Sequence, residues 1–380
     1  MEEAGYSEAV VMAVDAWRDA AGEWADVAAA AAEPNVFAEP WMIDAGLVCN
    51  EGEAPRSIVT RSAHGEATGV AMIQWEARYG RLPLPHARLW SHPNCFGATA
   101  TARAGAEAAM WAALIGAVAD LYPSAMLLSL PGIVEGSPLH RGLIEAAATH
   151  DLPVVAEDNV TRALLVTELD PEAYWEQAVR AKKRKELRRQ WARLGEEGAL
   201  IVDRLAIDEP ITPWIDAFLA LETAGWKGAN GSALACAPET EKFFREAMAA
   251  AHQRGAVAMT ALRIDGRAIA MLVTLLSGGA GFSFKTAFDE GYARYSPGVL
   301  LQRESLSLLR DLGLDWIDSC AAQDHPMIDS LWTGRRTMLT LALPLPGARN
   351  RITFDAIQTA TRLWHRIKPR TSSDTGWSKA

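Results

Sequence analysis

Three consecutive strand-like segments, followed by a loop and a helix, constrain the fold of this chain more than any other feature. Residues 257–264, 268–277 and 281–288 are apolar over strand length, and Asp265-Gly266 between the first two signals a tight hairpin. An acidic, tyrosine-rich loop follows, then an amphipathic helix over 297–312 and a short apolar strand over 315–319. Antiparallel strands that continue into a helix and a further strand predict a mixed α/β sheet flanked by helices.

The remaining segments also mix helices with strands. Further helices are predicted over residues 7–32, 104–122, 138–149, 171–194, 213–223, 238–254 and 354–366. Further strands are predicted over residues 56–60, 68–75, 126–130, 152–156, 162–169, 199–204 and 337–345. This order favours partly antiparallel sheets over a uniform alternation of strand and helix.

The length and the charge distribution predict two domains. A chain of 380 residues exceeds one ordinary compact domain. Residues 1–165 contain 9 arginines, no lysine and 21 acidic residues, whereas residues 166–380 hold 28 basic and 26 acidic ones. We therefore expect an acidic N-terminal domain over 1–160, a second domain over 161–346, and a C-terminal helix and tail over 347–380.

Composition excludes several classes of protein. Hydrophobic residues at 49% and charged residues at 22% are typical of a globular chain, and no apolar run reaches the roughly 18 residues that span a bilayer. The acidic start of the chain is unlike a signal peptide, and a net charge of −10 disfavours an overall basic nucleic-acid binder. The four cysteines lack paired metal spacing, so we expect a cytoplasmic protein without a metal.

The segment 282–309 carries the clearest chemical signal. Lys285 lies in an apolar strand, where a buried lysine needs a partner, and Asp289 or Glu290 could provide it. Ser296-Pro297-Gly298 then opens a helix, with serine and proline in favourable capping positions. A helix start reached from a strand could bind an anion such as a pyrophosphate, although a well-capped helix with no ligand explains the same residues.

Several short motifs together resemble a known family. Trp226-Lys227-Gly228 with the preceding Glu222, the segment 284–290 (FKTAFDE) and the segment 295–298 (YSPG) resemble GNAT-like acyltransferases. The similarity is closest to the BioF2-like or cellulose-biosynthesis acetyltransferase branch, which is allied to the FemAB peptidoglycan transferases. It is best over residues 160–335 and includes the basic helix 180–193; the N-terminal segment 34–41 resembles the usual start of the family more weakly.

The resemblance implies two tandem GNAT-like domains and an N-acyltransferase. The donor would be acetyl-CoA or a longer acyl-CoA, and the acceptor an amine of a sugar, a lipid or a cell-envelope precursor, in the cleft between the domains. The donor would lie along residues 285–300, with its coenzyme bound by Arg294, Tyr295, Ser296, Pro297, Gly298 and Val299.

The sequence also departs from the family pattern. Pro297 stands where the phosphate loop would have its first glycine, and Asp324-His325-Pro326-Met327-Ile328 lacks a lysine that relatives often carry. Two alternatives therefore remain open: an aminoacyl-tRNA donor of the FemAB type, or a non-catalytic binding protein on the same fold.

Amine acylation requires a group that accepts a proton, donors for the thioester oxygen and an acid for the leaving thiolate. Polar residues near predicted strand and helix ends could supply them, although each could instead be a solvated, capping or ion-paired side chain. Cys320 is more readily explained as a small buried residue than as a nucleophile. The catalytic candidates are Glu222, Asp318, Asp324, His325 and Lys285. The candidates for substrate binding are Trp226, Lys227, Asp289, Ser319 and His92. Ser319 could also protonate the leaving thiolate.

A strongly basic helix is a further candidate for binding. Eight positive charges lie between residues 180 and 193: Arg180, Lys182, Lys183, Arg184, Lys185, Arg188, Arg189 and Arg193. They could hold a phosphate-bearing ligand such as the coenzyme, a lipid-linked acceptor or a tRNA end, contact an anionic membrane, or form a solvated face. A second basic segment over 362–370 adds some weight to peripheral membrane contact.

Overall fold

The computed structural model describes residues 8–13 and 16–367, with side chains up to residue 363. The chain forms two compact units. The first contains the segment up to Ile43, Asn50–Val160 and the residues from Thr337 onward; the second contains Asp44–Cys49 and Thr161–Arg336. Lys368, Arg370 and the predicted tail lie outside the described residues.

Strands and helices alternate irregularly along the described chain. The strands are β1 Glu8–Met12, β2 Arg56–Arg61, β3 Ala67–Glu76, β4 His86–Leu89, β5 Ala100–Ala102, β6 Leu127–Val134, β7 Val155–Leu165, β8 Leu200–Arg204, β9 Val257–Ile264, β10 Arg267–Ser277, β11 Ala280–Phe288, β12 Trp316–Asp318 and β13 Gly334–Pro344. The α-helices are α1 Ala21–Ala29, α2 Pro40–Gly46, α3 Glu107–Leu121, α4 Pro138–Thr149, α5 Pro171–Ala178, α6 Ala181–Leu194, α7 Thr212–Ala224, α8 Trp226–Ala229, α9 Pro238–Gln253, α10 Pro297–Gln302, α11 Glu304–Asp311 and α12 Ala348–Ile367.

In the first unit the strand order is β1-β2-β3-β4-β6-β13, and β5 also pairs with β3. β4 and β6 are parallel, whereas the other pairs are antiparallel. The core of this unit is formed by apolar side chains of α3 against the inner faces of the strands, with Met110, Trp111 and Leu114 fully buried. Residues at these spacings lie on the same side of an α-helix, which is the apolar side that faces the core.

In the second unit the strand order is β7-β12-β11-β10-β9-β8. β11 and β12 are parallel and the other pairs are antiparallel, as expected when a helical segment connects β11 to β12. Leu272 of β10, Leu301 of α10 and Leu187 of α6 belong to one buried cluster, so α6 and α10 pack on the same core. The ends of β11 and β12, with α7 and α8, carry the predicted site residues Glu222, Lys227, Lys285 and Asp318.

The main error of the sequence analysis concerns the N-terminus. A helix was expected over 7–32, but residues 8–12 form β1, whose Val10 pairs with Val59 of β2, and the α-helix begins only at Ala21 after a 3-10 turn. Adjacent valines suit a strand, and pairing with β2 overrides the local helical pattern.

Three predicted boundaries also differ. The strands expected over 152–156 and 162–169 are the single strand β7. The helix expected over 171–194 is divided into α5 and α6, because Val179 is extended and buried and ends the first of them. The helix expected over 297–312 consists of α10 and α11 in direct succession.

Candidate active site

Lys285 lies at a bulge in β11. Val273 pairs with Lys285 and Thr274 with Ser283, so Phe284 is an additional residue on β11. The normal alternation of side chains is interrupted there, and Lys285 Nζ lies 5.6 Å from the centroid of the Phe284 ring. The parallel ladder between β11 and β12 ends nearby, at the pair Phe282 and Asp318. The bulge and the end of the ladder therefore coincide.

Glu222 and Lys227 form an ion pair at the junction of α7 and α8. Lys227 Nζ lies 2.8 Å from Glu222 Oε1, and the Leu234 N–H donates to Oε2 at 2.8 Å. Glu222 is only 4% exposed, so its charge depends on these two partners. Gly228 allows the turn, because a Cβ there would lie 1.8 Å from the Thr223 carbonyl oxygen. The sequence motif thus fixes the position of the Lys227 ammonium group.

Lys285 belongs to the same electrostatic cluster. Its pKa is lowered from 10.5 to about 8, chiefly by burial and then by the Lys227 charge, while Glu222 and Cys320 oppose the shift. A lysine with a pKa of about 8 exchanges its proton close to neutral pH, which is the property expected of a group that transfers protons during catalysis. Glu222, Lys227 and Lys285 were each predicted from sequence, and the structure brings them together.

His325 is coupled to the same cluster through Lys227. Burial lowers the pKa of His325, as does the Lys227 charge, and Asp329 opposes them. The imidazole is therefore neutral at pH 7. Its Nδ1 is buried and has no hydrogen-bond partner within the part of the chain that the structure describes. The neighbouring Asp324 is exposed and has a positive φ of 58°, so it forms part of a sharp turn.

Asp318 is the buried centre of a separate ion-pair network. Arg162 contacts it with Nε at 2.6 Å from Oδ1 and Nη2 at 2.8 Å from Oδ2, and Arg336 Nη1 lies 3.4 Å from Oδ2. The Cys320 N–H also donates to Oδ1 at 2.9 Å. These partners occupy the carboxylate, which disfavours the predicted role as a base. The adjacent Ser319 is buried and its Oγ accepts from the Ala321 N–H at 3.3 Å.

Cys320 lies between the two charged clusters. Burial raises the pKa of its thiol, and Asp318 raises it further, so Cys320 is protonated at neutral pH. A thiol in this state is a poor nucleophile. The geometry agrees with the interpretation of Cys320 as a small buried residue.

The predicted cap of α10 is wrong. Ser296 has a left-handed backbone with φ of 52°, and its side chain does not cap the helix. Its Oγ lies 3.2 Å from Gln190 Nε2 of α6. Pro297 has no N–H, and the N–H groups of Val299 and Leu300 both donate to the Ser296 carbonyl. In this turn Gly298 is the residue whose N–H is left for an anion, so the helix start is a weaker phosphate site than predicted.

The acidic residues predicted as partners of Lys285 bind other groups. Asp289 Oδ2 lies 2.5 Å from Arg267 Nη2, and its Oδ1 accepts from the Gly291 N–H at 2.9 Å. Glu290 Oε1 accepts from the backbone N–H of Trp226 at 2.6 Å, and Trp226 itself is 53% exposed. Both carboxylates therefore have partners of their own, on Arg267 and on the backbone of Gly291 and Trp226.

Two other predicted residues are held by Glu197. Arg294 Nη2 lies 2.8 Å from Glu197 Oε1, and the Tyr295 hydroxyl donates to the same oxygen. His92 lies in the first unit, where it is buried with its ring centroid 5.4 Å from that of Trp90.

Three residues that hold predicted site residues in place were not predicted from sequence: Arg162, Arg336 and Glu197. Arg162 is 156 residues from Asp318, and Glu197 is 98 residues from Tyr295. No local pattern marks such pairs, because the sheet and the packing of α6 bring them together. The described residues also contain no group of three or more His, Cys, Asp or Glu side chains that could hold a metal ion. Nor does any helix in the described ranges have both the length and the apolar character needed to cross a membrane.

Comparison with known proteins agrees with this geometry. Residues 181–325 match the model of the acetyltransferase (GNAT) domain. This region is therefore similar to the GNAT domain. The match contains the basic helix, the Glu222–Lys227 pair, Lys285 and Asp318, and ends at His325. A sequence search of curated proteins gave no significant match.

Solved structures extend the likeness to most of the chain. FemX is 10% identical, with coverage of 83% of this chain and 95% of FemX, and a TM-score of 0.56. The C-terminal domain of a putative lysylphosphatidylglycerol synthetase from Agrobacterium fabrum is 15% identical, with coverage of 91% and 96% and a TM-score of 0.52. A tandem GNAT protein from the clavulanic acid pathway is 18% identical, with coverage of 90% and 99% and a TM-score of 0.46.

These findings confirm the resemblance to GNAT-like transferases predicted from sequence. They also agree with the predicted mixed α/β fold, which the solved structures share over most of the chain, and with an acetyltransferase-like domain over residues 181–325. At identities of 10–18% the solved structures share a fold with this chain, and their donors and acceptors are their own.

Proposed function

We propose that this protein is an N-acyltransferase that moves an acyl group from an acyl-CoA to an amine of a sugar, a lipid or a cell-envelope precursor. The observation that carries the proposal is Lys285: its pKa is about 8, it lies beside the Glu222–Lys227 pair, and it stands where the β11–β12 ladder ends. We expect the reaction to take place in the cytoplasm, with peripheral contact to an anionic membrane if the acceptor is a lipid.

The acyl donor would lie along β11 beyond Phe282. The β11–β12 ladder ends at that residue, and the bulge at Phe284 turns the strand. Backbone N–H groups in such a place can donate to the thioester oxygen as negative charge develops on it. The segment 294–299 would contact the coenzyme mainly through the Gly298 N–H, since Pro297 has none and Arg294 is paired with Glu197.

In the transfer step the neutral amine attacks the thioester carbon, a C–N bond forms and the C–S bond breaks. An alkyl ammonium with a pKa of roughly 10 must first lose a proton. That proton leaves to solvent. As the C–N bond forms, the nitrogen must lose a second proton, which neutral Lys285 would accept and pass to the departing thiolate to give the thiol, with neutral His325 as the second group able to relay it. Glu222 would act as a positioning residue, because Lys227 and the Leu234 N–H occupy both its oxygens.

Transfer from an aminoacyl-tRNA is the second candidate. The weak phosphate site at the start of α10 favours it, because a coenzyme A pyrophosphate would find few backbone donors there. The fold over most of the chain is shared with FemX and with the lysylphosphatidylglycerol synthetase domain, and the FemAB resemblance is what brings an aminoacyl-tRNA donor into consideration.

The experiment is an acyl-transfer assay that follows thiol release from acetyl-CoA and palmitoyl-CoA with an amino sugar, a long-chain amine and a peptidoglycan precursor as acceptors. Lys285→Met and Glu222→Gln should each reduce turnover at least tenfold while the fold is retained. Lys242→Met is the matched control, since Lys242 is 60% exposed on α9, and should keep the wild-type rate. Wild-type rates in both site variants would reject the assignment, and absence of transfer from every acyl-CoA would favour the tRNA donor.

A further inference from the structure

A cavity of about 270 Å³ lies in the second unit, among α5, α6, β8 and the helices α10 and α11. It is distinct from the cluster around Lys285, with which it shares no lining residue. Its walls combine two tryptophans with three arginines on a floor of aliphatic side chains. The lining residues include Trp175, Arg184, Arg188, Trp191, Leu300 and Arg303.

Some of the charges around the cavity are already balanced. Arg303 lies 2.8 Å from Glu172 and stacks on Trp175, with its guanidinium carbon 5.1 Å from the ring centroid. Glu304, also in the wall, lies 3.5 Å from Arg204. The two carboxylates of the lining are therefore each paired with an arginine and do not neutralise α6.

Arg184 and Arg188 of α6 are not neutralised by a carboxylate within the described ranges. Arg184 Nη1 donates to the carbonyls of Val179 and Glu176 and has no carboxylate partner within residues 8–13 and 16–363. The Arg188 guanidinium has no hydrogen bond or ion pair within the same ranges. Two guanidinium groups one helical turn apart thus point to an anion with several acceptor oxygens, such as a phosphate.

The other lining residues indicate which kind of chemical group carries that anion. An acyl chain is disfavoured, because half of the lining residues are charged and charged groups are costly to bury against hydrocarbon. A flat membrane surface cannot enter a recess. An aromatic base can, since tryptophan and arginine planes are the usual stacking partners of bases, and Trp191 leaves 37% of its surface exposed.

We propose that this cavity binds an adenosine phosphate unit, with the base stacked on tryptophan and the phosphate held by Arg184 and Arg188. Both donors considered above carry such a unit, as the nucleotide end of coenzyme A or as the 3′-terminal nucleotide of an RNA. The link to a donor rests on the proposed function, whereas binding of the isolated nucleotide does not.

The test is equilibrium binding of adenosine 3′,5′-bisphosphate, measured by calorimetry at fixed ionic strength. Arg188→Gln should weaken binding by about tenfold or more, as expected for a lost charged hydrogen bond. Trp191→Ala should weaken it by about fivefold or more, as expected for lost base stacking. Arg189→Gln is the matched control, because Arg189 carries the same charge on the same helix but does not line the cavity.

The outcomes separate the inference from its alternatives. Saturable binding that falls in Arg188→Gln and not in Arg189→Gln supports the site. Absence of saturable binding or an equal loss in both arginine variants would overturn it. So would a parallel sedimentation assay in which the protein binds phosphatidylglycerol vesicles through Arg188 but does not bind the bisphosphate. Three further ligands then identify the source: acetyl-CoA compared with dephospho-CoA for the coenzyme, and a CCA trinucleotide for RNA.

Activity measurements keep the two proposals distinguishable. If acetyl-CoA is the donor, Arg188→Gln should raise its KM about tenfold with little change in kcat. Transfer with an unchanged KM would overturn the cavity inference and leave the acyltransferase proposal intact. Bisphosphate binding without transfer from any acyl-CoA would reject the coenzyme donor and leave the cavity inference intact.

Discussion

Replacement of Asp318 by asparagine tests whether this residue holds the fold or takes part in catalysis. The amide keeps the shape of the side chain but removes the negative charge that faces Arg162 and Arg336. Asp318 is 0% exposed and the Arg162 side chain 4%, so the two arginine charges would lose their counter-ion in a buried environment. The mutation should therefore be costly for folding.

The expected magnitude follows from this burial. Removal of one partner of a buried ion pair costs about 3–5 kcal/mol, a large part of the stability of a typical domain. For a unit of this size the loss corresponds to a fall in Tm of about 6–20 °C. Urea unfolding followed by tryptophan fluorescence should report it directly, because the Arg336 guanidinium carbon lies 3.8 Å from the centroid of the Trp316 ring.

Asp315→Asn is the matched control for this experiment. Asp315 is exposed, so the same chemical change should alter the free energy of unfolding by less than about 0.5 kcal/mol. The reasoning is refuted if Asp318→Asn stays within about 1 kcal/mol of the wild type while turnover collapses. That result would restore Asp318 as a base, as the sequence alone suggested.

The remaining predictions concern Lys285 and the donor. Because its folded pKa of about 8 lies below the ordinary 10.5, the folded protein binds fewer protons than the unfolded chain between these values. The stability of wild type relative to Lys285→Met should therefore rise with pH across that window, and pH-independent urea midpoints would contradict it. If neutral Lys285 accepts the proton, kcat should rise with pH through about 8, and Glu222→Gln should move this limb to lower pH because the opposing negative charge is lost; a falling limb would indicate that the ammonium form is needed. In thermal unfolding, a CoA species at 100 times its Kd should stabilise by roughly 2.7 kcal/mol, a rise of several degrees, and a response to bulk tRNA alone would favour the second donor.

Strong local patterns predicted the core of the second unit. The hairpin at Asp265-Gly266 and the strands around it match β9, β10 and β11 to within a residue or two. Turn chemistry and apolar runs act over a few residues, so they are visible without a fold. The N-terminal strand β1 was missed because its pairing with β2 is not encoded in its own segment.

The site residues divide in the same way. Glu222 and Lys227 are five residues apart on one helical junction, and their contact could be anticipated from a short motif. By contrast, Asp289 and Glu290 follow Lys285 closely in sequence but bind Arg267 and the Trp226 N–H instead. Proximity along a strand does not select the partner of a charge, because neighbouring side chains are directed by the sheet and by its bulges.

By itself the sequence determined the fold class, the resemblance to GNAT-like transferases and the identity of the lysines in the site. Only the tertiary structure decided what those residues can do. It lowered the pKa of Lys285 by burying it near Lys227, paired Asp318 with two arginines, and directed the N–H groups of Val299 and Leu300 to the Ser296 carbonyl instead of an anion. The physical reason is that protonation and hydrogen-bonding capacity depend on solvent exposure and on charges within a few ångströms, and residues far apart in sequence supply most of both.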